Sequence, residues 1–202
     1  MHSRFSGLED KLYTRFGPTG GAILAFLLEV VQIVVISSAI IIPIRYFLIQ
    51  PFYVKGASME PNFYDHEYLI IDELSYRFRD PMRGEIVVFR YPRDPSQFFI
   101  KRVVALPGET VEITDGHVFI YNDEHPNGLR LEEPYLDGER TNGKERVTLG
   151  GDEYFVLGDN RDSSLDSRSF GTLDRDNLIG RVWVRGLPLS RLSTFDLPVY
   201  NL

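Results

Sequence analysis

Residues 22–44 read AILAFLLEVVQIVVISSAIIIPI, and the interpretation of this stretch decides the architecture. As a helix its 23 residues would be about 34 Å long, enough for a hydrocarbon core of roughly 30 Å. One carboxylate, Glu29, interrupts it, and from Val30 to Ile44 the run is uncharged. A soluble core helix would show a polar face at helical spacing, and Ile33–Ile42 has none beyond Ser37 and Ser38. A cleavable leader also fits poorly, because Ile40, Ile41 and Ile42 carry the apolar run past the small pair Ser37 and Ala39. The stretch therefore reads as an uncleaved, single-pass membrane anchor. Pro43 stands where the helix can end, and Arg45, Tyr46 and Phe47 read as an interfacial anchor. Glu29 is either interfacial, near the helix start, or a carboxylate within the membrane. The flanking charges leave the orientation undecided, with three cations before the span and Arg45 and Lys55 soon after it.

The chain thus divides into an N-terminal segment, 1–21, an anchor helix, 22–49, and a soluble remainder, 50–202. Over 202 residues the net charge is −7, yet residues 1–49 carry four cations against three carboxylates, leaving −8 for the remainder. With no basic cluster, nucleic acid is excluded as a partner. The absence of cysteine rules out disulfides, thiol nucleophiles and Cys-ligated zinc.

After Pro51 the pattern changes to alternation punctuated by turns. Tyr68–Ile71, Glu85–Tyr91, Phe98–Leu106, Thr110–Thr114, His117–Tyr121, Glu153–Leu157 and Ile179–Arg185 are rich in β-branched and aromatic residues. Each predicts a strand. Residues 122–151, polar and glycine-rich, predict loop and short hairpin, and no helical stripe follows residue 50. The expectation is a mainly β domain hanging from one membrane helix. Phe52, Tyr53, Phe63, Tyr64 and Tyr68, close after the span, either pack the core or form an aromatic rim at the lipid bilayer.

The four histidines form no HExxH or other metal-spaced pair, there is no GxSxG elbow, and no glycine-rich phosphate loop occurs. Three segments could carry chemistry. In Gly56-Ala57-Ser58-Met59-Glu60-Pro61 a turn of small residues presents a serine without bulk beside it. In Phe98–Leu106 strand alternation gives each face one cation, Lys101 or Arg102, among apolar neighbours. Arginine stays protonated on burial, whereas a desolvated lysine becomes a neutral amine and hence a general base. The alternative is a lysine snorkelling at a strand edge. Gly158–Gly171, with a single aliphatic side chain, is either a long solvated turn or an ordered polar network.

Together these segments resemble the type I signal peptidases, membrane-anchored serine endopeptidases that remove signal peptides from exported preproteins. Ser58-Met59-Glu60-Pro61 is similar to the nucleophile motif, Arg83–Phe89 to the strand that follows it, Ile100–Gly108 to the general-base motif, and Gly158–Arg168 to the last motif. Leu131–Leu136 and Gly180–Trp183 also fit. The resemblance implies an antiparallel β-sheet catalytic domain outside the cytoplasm, an N-terminal cytoplasmic segment, and a cell-membrane location. It implies signal peptides of secreted preproteins as partners, cleavage after small residues through an acyl-enzyme, and no metal or organic cofactor. Ser58 would be the nucleophile and Lys101 the base, with Ser164 hydrogen-bonding the lysine nitrogen and Asp166 and Arg168 holding the network. A carboxylate touching Lys101 would raise its pKa, so Asp166 is expected to pair with an arginine, Arg168 or Arg161. Some family members have a serine two residues before the nucleophile to help bind the oxyanion; here it is Gly56. The Ser58 amide remains as a donor, with the Gly56 amide or a water as the second. Val54, Phe89 and Val103 are the expected lining of shallow substrate pockets. Two rivals are another Ser/Lys peptidase and a tethered β-domain that binds a partner and catalyses nothing.

Overall fold

The computed structural model describes residues 6–47, 49–136 and 138–201. The chain divides into two units, residues 1–47 and 48–202. The first contains the helix α1 (Ser6–Phe47), interrupted at Gly17 and resumed at Pro18. A proline suits that place, because the first helical residue has no intrahelical use for its N–H. Thr14–Pro43 is long and apolar enough to cross a membrane, and none of the window that qualifies it is buried within the protein.

The second unit is built almost wholly of strands. In order these are β1 (Ile49–Tyr53), β2 (Tyr68–Asp72), β3 (Ile86–Tyr91), β4 (Asp94–Ala105), β5 (Thr110–Thr114), β6 (His117–Tyr121), β7 (Leu129–Arg130), β8 (Glu145–Thr148), β9 (Glu153–Leu157), β10 (Leu173–Asp174), β11 (Leu178–Leu187) and β12 (Ser193–Thr194). The described α-helix here is one turn, α2 (Ser167–Phe170). One antiparallel sheet runs β1-β2-β11-β3-β4-β9-β10, with β12 on β11; the other runs β7-β6-β5-β8. The seven expected strands are present. β1, β7, β8, β10 and β12 add to them, and β4 begins earlier than expected.

Alternation along β3 and β4 sorts their side chains between two apolar clusters. Ile86, Val88 and Ile100 face Val54, Met59, Phe63, Leu69 and Ile71. Val87, Phe89, Phe99 and Val103 face Tyr154, Val156, Leu173 and Phe170. A third cluster joins Val104 and Phe155 to the inward residues of β5 and β6. Of the five aromatics close after the span, Phe63 is core, whereas Tyr53, Tyr64 and Tyr68 are exposed.

One detail of register positions the site. β4 pairs with β3 along its length, Val87 opposite Lys101 and Phe89 opposite Phe99. On its other side β9 pairs with β4 only at Arg102–Ala105. Residues 98–101 of β4 therefore keep an outer edge without a strand partner among the described residues, and the nucleophile turn lies along it.

Candidate active site

Lys101 starts on the Phe99 face of β4, and its amine reaches the unpaired edge of that strand. There Nζ lies 2.7 Å from Ser58 Oγ and donates to the Ile100 carbonyl at 2.8 Å. The residue is 3% exposed. Its Nζ also stands 5.4 Å from the centre of the Phe99 ring, on which the Tyr91 ring stacks at 4.5 Å. No carboxylate touches it among the described residues. Burial pushes the Lys101 amine down to about 8, while the more remote Asp166 and Asp159 pull it partway back. A minor but usable neutral fraction is therefore present near neutrality and grows through pH 8, as a general base requires.

The carboxylates nearby are held by arginines. Asp166 is fully buried and takes a two-pronged bond from Arg168, Nε and Nη2 each at 2.8 Å. It also accepts the Gly158 amide at 3.1 Å and caps α2 through the Arg168 amide. Despite the cost of burial, these bonds hold the Asp166 carboxyl below its usual range. Asp159, also buried, is gripped by Arg102 at 2.8 and 2.6 Å and by Asn62 at 2.9 Å. Strand alternation thus gives the two neighbouring cations opposite fates: Arg102 has a carboxylate partner and Lys101 a hydroxyl. Arg161 does not share Asp166; it pairs with Glu133, Thr141 and the Gly158 carbonyl.

The nucleophile turn is tied to the last motif by its backbone. The Asn160 amide donates to the Ser58 carbonyl, and Asn160 Nδ2 to the Ala57 carbonyl, both at 3.1 Å. Gly158 must be glycine for close approach, since a Cβ there would collide with Ser164 Oγ and come within 2.5 Å of the Ser58 carbonyl oxygen. The Ser58 amide donates to no protein acceptor among the described residues.

Four expectations differ from the structure. The Gly56 amide, at φ +88°, donates to Asp65 Oδ1 at 3.0 Å, so it is committed and not a spare oxyanion donor. The Ser164 hydroxyl is buried and closes no hydrogen bond of ordinary geometry, to Lys101 or any other described group; it adds only to the pull on Asp166. Phe89 and Val103 do not line the cleft. Both are 0% exposed and pack on the Lys101 face of the sheet with Tyr76, Tyr154, Val156, Phe170 and Leu173. Their place is taken by Val88 and Ile100, one residue out of phase. Val54 does line the cleft, a depression of about 670 Å³ that also includes Phe52, Leu69, Phe98, Phe99, Leu165, Ser58 and Lys101. The residues that sequence reasoning missed are Asn62, Asp65, Asp159, Asn160 and Glu133. Of these, Asp159 and Asn160 lie inside the Gly158–Arg168 motif and Glu133 inside Leu131–Leu136, but none had been given a role.

Residues 27–186 match the family model described as signal peptidase, peptidase S26. The chain belongs to this family. It is 39% identical over 172 residues to a probable signal peptidase I-2 of Synechocystis, covering 82% of this chain and 76% of that one. It is 38% identical over 181 residues to a signal peptidase I of Leptolyngbya laminosa, covering 85% of each chain. A signal peptidase I P of Bacillus subtilis subsp. natto is 34% identical over 165 residues, covering 76% and 85%. The matched region of this family member includes Ser58, Lys101 and the whole 158–168 motif, together with the greater part of the apolar helix.

Proposed function

We propose that the chain is a membrane-anchored serine endopeptidase that removes N-terminal signal peptides from exported preproteins. The observation that carries the reading is the buried Lys101 amine, 2.7 Å from Ser58 Oγ, with no carboxylate on it. Neutral Lys101 takes the hydroxyl proton as Oγ attacks the scissile carbonyl, and the Ser58 amide meets the developing oxyanion. The C–N bond then breaks, Lys101 returns the proton to the leaving amine, and an acyl-serine ester remains. Water repeats the sequence: Lys101 takes its proton, hydroxide adds to the ester, and Oγ leaves reprotonated.

The substrate enters as a strand. Residues 52–55 and 96–101 border the cleft as two extended segments, and the unpaired 98–101 edge offers main-chain hydrogen bonds. The Val54, Leu69, Val88 and Ile100 wall receives the small residue before the cut. The apolar helix holds the enzyme on the bilayer surface its substrates share, which raises their effective concentration. The catalytic unit lies on the extracytoplasmic side, where exported chains emerge.

The test is preprotein cleavage by the full chain in detergent micelles. Ser58→Ala and Lys101→Arg should each abolish turnover, the second because a guanidinium keeps its charge but cannot act as base. Near-normal cleavage by Lys101→Arg would end the proposal. Since the chain has no cysteine, one cysteine introduced on the domain and labelled by an impermeant reagent reports the side of the membrane.

A further inference from the structure

We infer that Leu165 sets the preference for the substrate residue two before the cut, a specificity position that the catalytic reading leaves unassigned. The inference rests on that reading, since it takes Ser58 as the point of cleavage and the β4 edge as the substrate's partner.

Leu165 is the one aliphatic side chain between Gly158 and Ser169. It is 46% exposed, although Asp166 beside it is fully buried and Ser164 Oγ on its other side is closed from solvent. The backbone there is pinned by the Arg168 and Gly158 bonds to Asp166. Leu165 is thus held in place while its side chain is left open, and the place is the cleft that holds Ser58 and Lys101. An apolar side chain fixed in a polar loop and facing an open site is one that a ligand covers.

The geometry of β4 says which part of the ligand. The cleft has two walls, derived from opposite faces of one sheet. Ile100 belongs to the wall with Val54, Leu69 and Val88. Phe99 belongs to the other face; Leu165 lines the same cleft and by the proposal completes the Phe99 wall. Side chains of an extended peptide on the 98–101 edge point alternately to these walls. If the residue before the cut and the one two earlier enter the Val88–Ile100 wall, the residue between them must face Phe99 and Leu165. The stacked Tyr91 fixes the Phe99 ring, which leaves Leu165 as the adjustable part of that wall. An apolar residue at this second position gains contact. An acidic one stands beside the Lys101 amine, favours its protonated form, and loses rate.

The experiment uses peptides with alanine at the first and third positions before the cut and leucine, alanine or aspartate at the second. Cleavage by the full chain is compared for wild type, Leu165→Ala and Leu165→Met. Wild type should favour leucine over alanine by about fivefold in kcat/KM, a modest value for a half-open wall. That ratio should fall to near one in Leu165→Ala and return in Leu165→Met. An unchanged ratio in Leu165→Ala overturns the inference. So does an equal loss across all three peptides, which would make Leu165 merely a shield for the lysine. Failure of wild type to cut any of them, while the Val88–Ile100 wall stays intact, would instead overturn the peptidase reading beneath it.

Discussion

Replacing Lys101 with methionine should yield an inactive chain that is more stable at neutral pH than the wild type. Folding moves the amine from its ordinary 10.5 to about 8, chiefly by burial. A depression of that size corresponds to about 3 kcal/mol of lost stability wherever both states carry the proton. Below pH 8 that cost is fully present. Between pH 8 and 10.5 the folded amine is mostly neutral while the unfolded chain still binds the proton, so the cost declines, and it is gone above 10.5. Wild-type stability therefore gains from this residue as pH rises, about 3 kcal/mol of destabilisation at pH 7 falling to about 1 at pH 10. Methionine removes this cost altogether. It also loses the bonds to Ser58 and Ile100, but that loss changes little with pH. The decisive quantity is the difference between variant and wild type, measured by denaturation of the full chain in micelles at pH 7 and pH 10. The gap should narrow by about 2 kcal/mol across that range, several degrees of unfolding temperature for a unit of this size. A gap that stays constant, or widens, would show that Lys101 does not carry its proton at a cost in the folded state, and the argument for its basicity would fail.

Turnover should follow the same amine. With a midpoint near 8, kcat/KM on a peptide substrate should rise about tenfold from pH 7 to pH 9; a midpoint near 6.5 would point to a histidine instead. Gly158→Ala should push the Ser58 carbonyl and with it the nucleophile. Because displacement by an ångström costs about a hundredfold, kcat should drop on that scale with little change in KM, and a wild-type kcat would refute the close-approach argument.

Thr110–Thr114, His117–Tyr121 and Glu153–Leu157 could be read to the residue because each alternates cleanly and is closed by a turn. β1 was hidden because it follows the apolar helix directly and contains Pro51, so its residues read as membrane flank. β7, β10 and β12 have two residues each, too few for any period, and owe their existence to pairing partners elsewhere in the chain. At the site, the fate of Lys101 was legible because lysine and arginine respond differently to burial on alternate faces. Phe89 and Val103 were misplaced by the same alternation. They share the lysine's face, but the lysine side chain reaches the strand edge at Ser58, and the cleft there is lined by Val88 and Ile100 from the other face. Asn62 comes from a loop with no signal of its own, and Glu133, although inside Leu131–Leu136, shows what it pairs with only when the sheets assemble.

Four cations are buried among the described residues, Lys101, Arg102, Arg161 and Arg185. Three of them are guanidinium groups, which no ambient alkalinity discharges. The ionic stitching that shapes this unit is thus indifferent to a mildly alkaline medium, and the working group alone responds to it. Such a division lets the enzyme speed up or slow down with its surroundings through a single atom, without loosening the frame that aims it.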